Sequence, residues 1–545
     1  LEDQYAGEAV FSHLLDFVSE LLFCPRTEHG AFVPELVSQE CRNLQNAMQS
    51  VLDDKSAYCE RQLLRAMCRG ERYACGRLGE PEELDKIDVR TLWAHDKSVL
   101  ASSRVELFYL GSKSVGEAEA LLQPLGDGAF DGGFYAESYR RLSERSATWA
   151  DARYVRGNRR NVCWNSTADY LLLYPCITAD SAGGNLSTEE YAFGGGYVHR
   201  VGRFDLAIRG DYRAGQEYRQ VDPRPHNVVS DFTIKLGVGM QFPQYVLGLD
   251  LQGRLYKQDQ DIDFFYPPGA SSSELYMTGL GSYYTRYSLN SESFNIGYDG
   301  KGCLLAAQLM PRHAKGWYAR AAFESLTTDR LNKSNNTVPI TRLKTRQATL
   351  SAAYRSGRWS LRAGGGYELR RSIEMIADRT GHSVIVDEQA MYKNRIWHAD
   401  AEATVEWRRG TVNYMLSPRA EWRQSTATYA YPARRMRLAQ FCGAVRGSAE
   451  WLRPQWRVKA TAGIGCYVSP DEEVSLSNVL NNISEYLTYT AARLSGRAVS
   501  PEVSLRAERR LSRNLACFAE AGWTPRFYSG GLSEHVLTAT FGILF

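Results

Sequence analysis

The chain has 545 residues, 44% of them hydrophobic and 23% charged, a length that ordinarily implies roughly three or four globular domains. Its 65 Lys plus Arg against 62 Asp plus Glu leave a net charge of +3, so no field of one sign recruits nucleic acid, and no window approaches the roughly 20 apolar residues of a membrane-spanning helix. What is unusual is 32 Tyr, 20 Phe and 11 Trp beside 46 Gly and only 18 Pro at negative mean hydropathy, the composition of a transmembrane β-barrel.

The sequence starts at Leu1 without Met, as a mature chain does once a signal peptide has been removed. Residues 1–85 read as a helical N-terminal segment. Val10, Leu14, Phe17, Val18 and Leu21 form one apolar stripe, and Val37, Cys41, Leu44, Met48, Val51 and Leu52 form another. That face could fill a barrel as a plug, dock on a periplasmic partner, or bury itself in a helical hairpin. The 11 cysteines include no C-x-x-C pair, so scattered packing cysteines are favoured over a zinc site, and no metal or cofactor is expected.

From about residue 100 to the end the period changes to two, which predicts an all-β antiparallel transmembrane barrel over 100–545. Trp397, Ala399, Ala401, Ala403, Val405 and Trp407 share one parity, and His398, Asp400, Glu402, Thr404, Glu406 and Arg408 the other. Val412 to Trp422 repeats the pattern, as do Phe204/Leu206/Ile208/Tyr212 and Trp456/Val458/Ala460/Ala462/Ile464. Alternation alone fits a soluble sandwich as well. Spans of about 9 to 11 residues with aromatics at both ends, and small alanines between, favour lipid.

Short turns are expected near 157–158, 201–202, 243–244, 314–315, 356–357, 409–410, 453–454 and 511–512, each pair separated by a longer polar segment. Eight hairpins and the final strand give about 17 strands, and an ascending strand over 103–111 would close the barrel at about 18, within a range of about 16–18. Short turns and the N-terminus would then be periplasmic. The last residues place Leu537, Ala539, Phe541, Ile543 and Phe545 on one parity, which resembles the C-terminal recognition signal of bacterial outer-membrane proteins.

Chemistry is sparse. No G-x-S-x-G, Walker loop, H-E-x-x-H or dinucleotide fingerprint occurs, and no enzyme is expected. His398 beside Asp400 and Glu402 reads as a lumen histidine in a charge ladder rather than a catalytic group. Gly194–Gly196 and Gly364–Gly366 read as bends inside strands. The lumen is expected to mix signs through Arg362, Glu368 and Arg370, through Arg419, Glu421 and Arg423, and through Glu502, Arg506 and Glu508, which fits a plugged barrel as readily as an open channel. The loop over 258–290, with Phe264, Phe265, Tyr266, Tyr276, Tyr283, Tyr284 and Tyr287, is the best candidate contact surface; the alternative is a loop folded into the barrel mouth.

The phrases GDGAFDGGFYAESYRRL from Gly126, VCWNS at 162–166, YRAGQEYRQVDPRP at 212–225 and ELYMTGLGSYY at 274–284 resemble an uncharacterised family of Bacteroidota outer-membrane barrels. The resemblance implies a multi-pass outer-membrane location in contact with lipid, and a neighbourhood of TonB-dependent receptors in nutrient or metal uptake. A TonB-dependent receptor or a lipoprotein is the partner implied. Two functions follow: a channel or accessory in such uptake, or a structural or assembly scaffold with a plugged, non-conducting barrel.

Overall fold

The computed structural model describes residues 27–28, 31–53, 87–102, 122–264, 274–284 and 293–544, apart from short gaps at 314, 334–336, 378–384 and 513–514. The chain divides into two compact units, Leu1–Ser103 and Arg104–Phe545.

In the first unit Thr27–Glu28 pairs with Ala31–Phe32 in a short hairpin, followed by helices α1 (Pro34–Asp53) and α2 (Val89–Ser102). Along α1, Val37, Cys41 and Leu44 are half-buried while Glu40, Arg42 and Asn43 are exposed, as three-and-four spacing requires. The stripe over residues 10–21 lies outside the described residues. Helix α2 begins with a reciprocal cap: Thr91 N–H donates to Asp88 Oδ1 at 2.7 Å and Asp88 N–H donates to Thr91 Oγ1 at 3.0 Å. Trp93 on α2 meets Phe32 edge-on at 4.9 Å.

Among the described residues the second unit forms a closed barrel of 17 strands. In chain order they are β1 (Gly128–Arg141), β2 (Ser146–Val162), β3 (Gly184–Val201), β4 (Phe204–Arg219), β5 (Arg224–Gln241), β6 (Tyr245–Asp263), β7 (Ser293–Pro311), β8 (Gly316–Asn332) and β9 (Val338–Ser356). They continue as β10 (Trp359–Ala377), β11 (Ile385–Arg409), β12 (Val412–Tyr429), β13 (Arg434–Leu452), β14 (Trp456–Ser475), β15 (Ala498–Arg510), β16 (Ala516–Tyr528) and β17 (Ser533–Leu544). Consecutive strands pair antiparallel, and β6 pairs directly with β7 across the longest loop. At one end the connections run to two to five residues, while the other end carries the three longest, 163–183, 264–292 and 476–497; the expected alternation fails elsewhere, since 220–223, 333–337, 430–433 and 529–532 are as short as the turns opposite. At the tightest short turns Gly357 and Gly410 take φ of +53° and +61°, the left-handed backbone that glycine adopts without strain.

Two expectations about the hairpins need correction. Gly157 and Asn158 lie inside β2, and the first turn falls between Arg141 and Ser146. Gly157 is required there by a close approach, since a Cβ would sit 1.9 Å from Asp131 Oδ1. The ring also has 17 strands rather than 18; the segment 103–111 lies outside the described residues. Strands β1 and β17 are ring neighbours, and with an odd number of alternating strands both run away from the long-loop end. The seam is therefore parallel.

Along a central belt of the barrel the outward parity is apolar. Phe204, Leu206 and Ile208 are each 45% exposed, and Trp397, Val405, Trp407, Leu416, Trp456 and Ile464 are exposed as well, on the parities that the alternation assigns. On β11 the ten steps from Trp407 to Trp397 span ~33 Å along a strand, or ~25 Å of height at the usual tilt, the thickness of a bilayer's apolar band. No described helix is long and apolar enough to cross a membrane. Glycines 364 and 366 serve close approach on the inner face: Asp400 lies over Gly364, and a Cβ on Gly366 would fall 2.5 Å from His398 Cε1.

Candidate functional site

The buried core of this barrel is not between sheets; it fills the long-loop end of the lumen. Three connections fold inward. The segment 163–183 contributes Trp164, Leu173, Ile177 and Ala179 with the single helical turn α3 (Tyr170–Leu173); the segment 274–284 contributes Tyr276, Met277 and Leu280; and the β14–β15 connection carries a helix, α4 (Asn481–Ser495), with Ile483, Tyr486, Leu487 and Ala491. They pack on inward residues of the wall, among them Tyr256, Ile296, Tyr298, Ile340, Tyr392 and Tyr429. Trp164 stacks on Tyr486 at 5.3 Å, and the Tyr170 and Tyr486 hydroxyls lie 3.1 Å apart.

A plug made of loop must satisfy its own backbone. Here wall side chains do so. Asn227 Nδ2 donates to Ser166 O at 2.9 Å, and Gln260 donates to the same oxygen. Arg330, fully buried on β8, donates from Nη1 to Ile177 O at 2.8 Å and to Met277 O at 3.0 Å, and lies over the Tyr276 ring. Arg434 on β13 donates to Leu280 O and Asn478 O at 2.8 and 2.7 Å, and Arg370 on β10 to Leu171 O at 2.6 Å. Arg330 thus ties 163–183 to 274–284, and Arg434 ties 274–284 to the β14–β15 connection.

The charged centre of the plug is Asp180, Arg219, Ser166 and Glu274. Arg219 Nη2 lies 2.6 Å from Asp180 Oδ2, both side chains having no exposure. Ser166 Oγ lies 3.0 Å from Asp180 Oδ2 and 2.6 Å from Glu274 Oε1. A serine hydroxyl has one proton to donate, so it cannot serve two carboxylates at once. The relay closes when Glu274 is protonated, donates to Ser166, and Ser166 donates to Asp180. Burial, with the charge of Asp180 beside it, pushes the Glu274 carboxyl up to about 8.

That shift has a sign. A glutamate in the unfolded chain titrates near ~4.3, so between that pH and about 8 the folded plug holds a proton that the unfolded one has released. Plug stability therefore falls as pH rises through this window, and the loss is complete above it. Trp164 fluorescence, read against pH, is expected to change with a midpoint near 8 as its stack on Tyr486 loosens, while Glu274→Gln, neutral throughout, flattens the profile. An unchanged midpoint in Glu274→Gln would discard the relay.

Of the two readings of the 258–290 loop, a contact surface or a loop folded into the barrel mouth, the described aromatics fit the second. Tyr276 is 1% exposed, Phe264, Tyr283 and Tyr284 pack partly buried against the plug, and Tyr284 Oη reaches Met375 O at 3.4 Å. Phe265, Tyr266 and Tyr287 lie outside the described residues. The aromatics of 274–284 fill the barrel mouth.

Below the plug, charged side chains of both signs face one another. Arg209 bridges Asp151 and Asp211 at 2.7 and 2.6 Å, Lys235 meets Asp211 at 2.9 Å, and Arg254 meets Asp231 at 2.7 Å. On the far wall Arg362 lies 3.9 Å from Asp400, Arg419 lies 2.8 Å from Glu421, and Arg370 pairs with Glu368. Glu402 stands in register between Arg362 and Arg419, and His398 opposite Arg423. Among the described residues no hydrogen bond joins His398 to Asp400 or Glu402. The side chains of Arg362 and Arg419 are 57% and 53% exposed, so this part of the lumen is wet.

Ser166, Asp180, Arg219, Glu274, Arg330 and Arg434 were not singled out from sequence. A signal was present: VCWNS, YRAGQEYRQVDPRP and ELYMTGLGSYY contain Ser166, Arg219 and Glu274, so three of the phrases that carry the family resemblance meet in the plug.

Comparison with known proteins gives the following. Over 108 residues the chain is 30% identical to a probable inactive metalloprotease, YmfF, of Bacillus subtilis strain 168; the match takes in 20% of this chain and about a quarter of the length of that relative, 25%. Among solved structures, the ferric preacinetobactin receptor BauA of Acinetobacter baumannii is similar at a TM-score of 0.40 and 9% identity, covering 81% of this chain and 79% of that one. The copper transporter OprC gives 0.40 and 8% over 82% and 80%, and the unliganded ferric citrate transporter FecA gives 0.38 and 9% over 82% and 78%. Residues 107–545 match the model of a family of unknown function, DUF6850, and with that span covered the chain belongs to this family.

Proposed function

We propose that this protein is an integral component of the bacterial outer membrane whose outward mouth is shut by its own loops, and which serves beside a partner rather than as an open pore. The observation that carries the reading is the plug: loops 163–183, 274–284 and α4 packed into one buried cluster and bound by wall side chains. A closed barrel with an apolar, aromatic-rimmed exterior is the β form that lipid accepts. The three long connections gathered at one end, 163–183, 264–292 and 476–497, support that end as external and the opposite one as periplasmic. The partner class is a TonB-dependent receptor or a lipoprotein, in nutrient or metal uptake.

A gated channel is the second reading, favoured by the wet, charged lumen below the plug. Planar-bilayer conductance of the full chain separates the two. The unaltered protein is expected to be silent. Leu487→Asp, which places a charge at a 2% exposed position of α4, should unseat the plug. Discrete conductance steps in this variant would favour the gated channel, and silence the scaffold. Steady conductance of the unaltered protein would overturn the occluded reading.

A further inference from the structure

One stretch of the barrel exterior is strongly charged. Just beyond the aromatic rim at the long-loop end stand Lys344 and Arg346 on β9, Arg371 on β10, and Lys393 and Arg395 on β11. All five share the outward parity, since the residues between them, Leu343, Ser372, Tyr392, Asn394 and Ile396, are buried on the inner face. Lys344 is opposite Arg371, which is opposite Lys393; one step toward the apolar belt, Arg346 and Arg395 flank Leu369. A three-strand row of this kind is ~10 Å wide.

Like charges directly opposite one another destabilise a strand pair, and among the described residues no carboxylate relieves them. Three neighbouring arginines toward this end do have acids: Arg342 pairs with Asp329 at 2.7 Å and with Glu388 at 3.3 Å, Arg435 with Glu473 at 3.4 Å, and Arg437 with Asp471 at 2.9 Å. None of the five forms an ion pair among the described residues. Their cross-strand flanks are neutral, Thr327 and Ser325 on β8 and Thr428 and Thr426 on β12. Directly beneath lies an apolar face headed by Tyr367 against Trp397 at 4.4 Å.

An occupant must therefore be anionic at one end and apolar at the other. We infer that this patch binds the phosphate groups of an anionic lipid in the leaflet on the long-loop side, its acyl chains lying along the outward face of β9, β10 and β11. Arg is suited to phosphate through its planar fork, and cations near a headgroup layer add attraction one by one. A free phosphate would meet the charges but leave the adjoining apolar face unused. The inference rests on the membrane-spanning reading above.

The test uses the full chain purified in neutral detergent and native mass spectrometry with bis-phosphorylated lipid A as the probe. The unaltered protein should retain that lipid and bind its dephosphorylated form about tenfold more weakly or worse. The combined variant Arg371→Gln, Lys393→Gln and Arg395→Gln should lose the preference, whereas Arg435→Gln with Arg437→Gln should keep it. Equal binding of the two lipid forms by the unaltered protein, or displacement by equimolar inorganic phosphate, would overturn the inference. Insertion of the unaltered chain into neutral phosphatidylcholine vesicles is measured in parallel. Failure there would remove the membrane reading itself, while insertion without phosphate preference removes the lipid site alone.

Discussion

Replacing Arg219 with Met is expected to destabilise the plug by about 3–5 kcal/mol, the usual consequence of stripping one partner from a buried ion pair. Asp180 would be left at zero exposure with the Ser166 hydroxyl and the Gly183 N–H as its remaining donors. The same arginine also donates to Pro223 O at 2.8 Å, so the β4–β5 connection loosens with it. Limited proteolysis within 163–183 and a red shift of Trp164 emission would report the release. The informative companion is Arg219→Met combined with Asp180→Asn, which removes both charges. It should cost less than Arg219→Met alone, because no lone buried charge remains. A double variant as damaged as the sum of the two single ones would show that the pair acts by packing and not by charge.

Arg at Ala401 is expected to cost about 2–4 kcal/mol in folding into lipid, the range for a cation at the bilayer midplane of a barrel. Ala401 is exposed on the outward parity, midway between Trp397 and Trp407. Arg at Thr404, on the inward parity, should cost closer to ~1 kcal/mol, through loss of the 2.7 Å contact between Thr404 Oγ1 and Ser417 Oγ. The wet lumen accommodates the guanidinium that the acyl chains reject. Urea titrations in liposomes, followed by heat-modifiable mobility, measure both. Equal costs at the two positions would mean that the outer face is not in contact with lipid.

The two faces were legible in the sequence because a strand has a period of two and the contrast between lipid and water is large. Phe204, Leu206 and Ile208, and Trp397 through Trp407, stand outward as their alternation assigned. The Arg409-Gly410 turn was equally local, a dipeptide that needs one left-handed residue. Gly157-Asn158 misled for the same reason: glycine marks both a turn and a close approach, and only the position of Asp131 tells them apart. The aromatics of 274–284 likewise fitted a contact surface and a loop folded into the mouth alike until their neighbours were known.

The sequence by itself therefore determined the alternating faces and seven of the eight tight hairpins, since each depends on residues within one strand or one turn. The plug and the seam were decided only by tertiary structure. Ser166 meets Glu274 across 108 residues, Arg330 meets Ile177 across 153, and Tyr170 meets Tyr486 across 316. Loops have no period to announce which face is buried. Whether a polar loop meets water or a waiting arginine depends on where closure of the barrel brings the opposite wall.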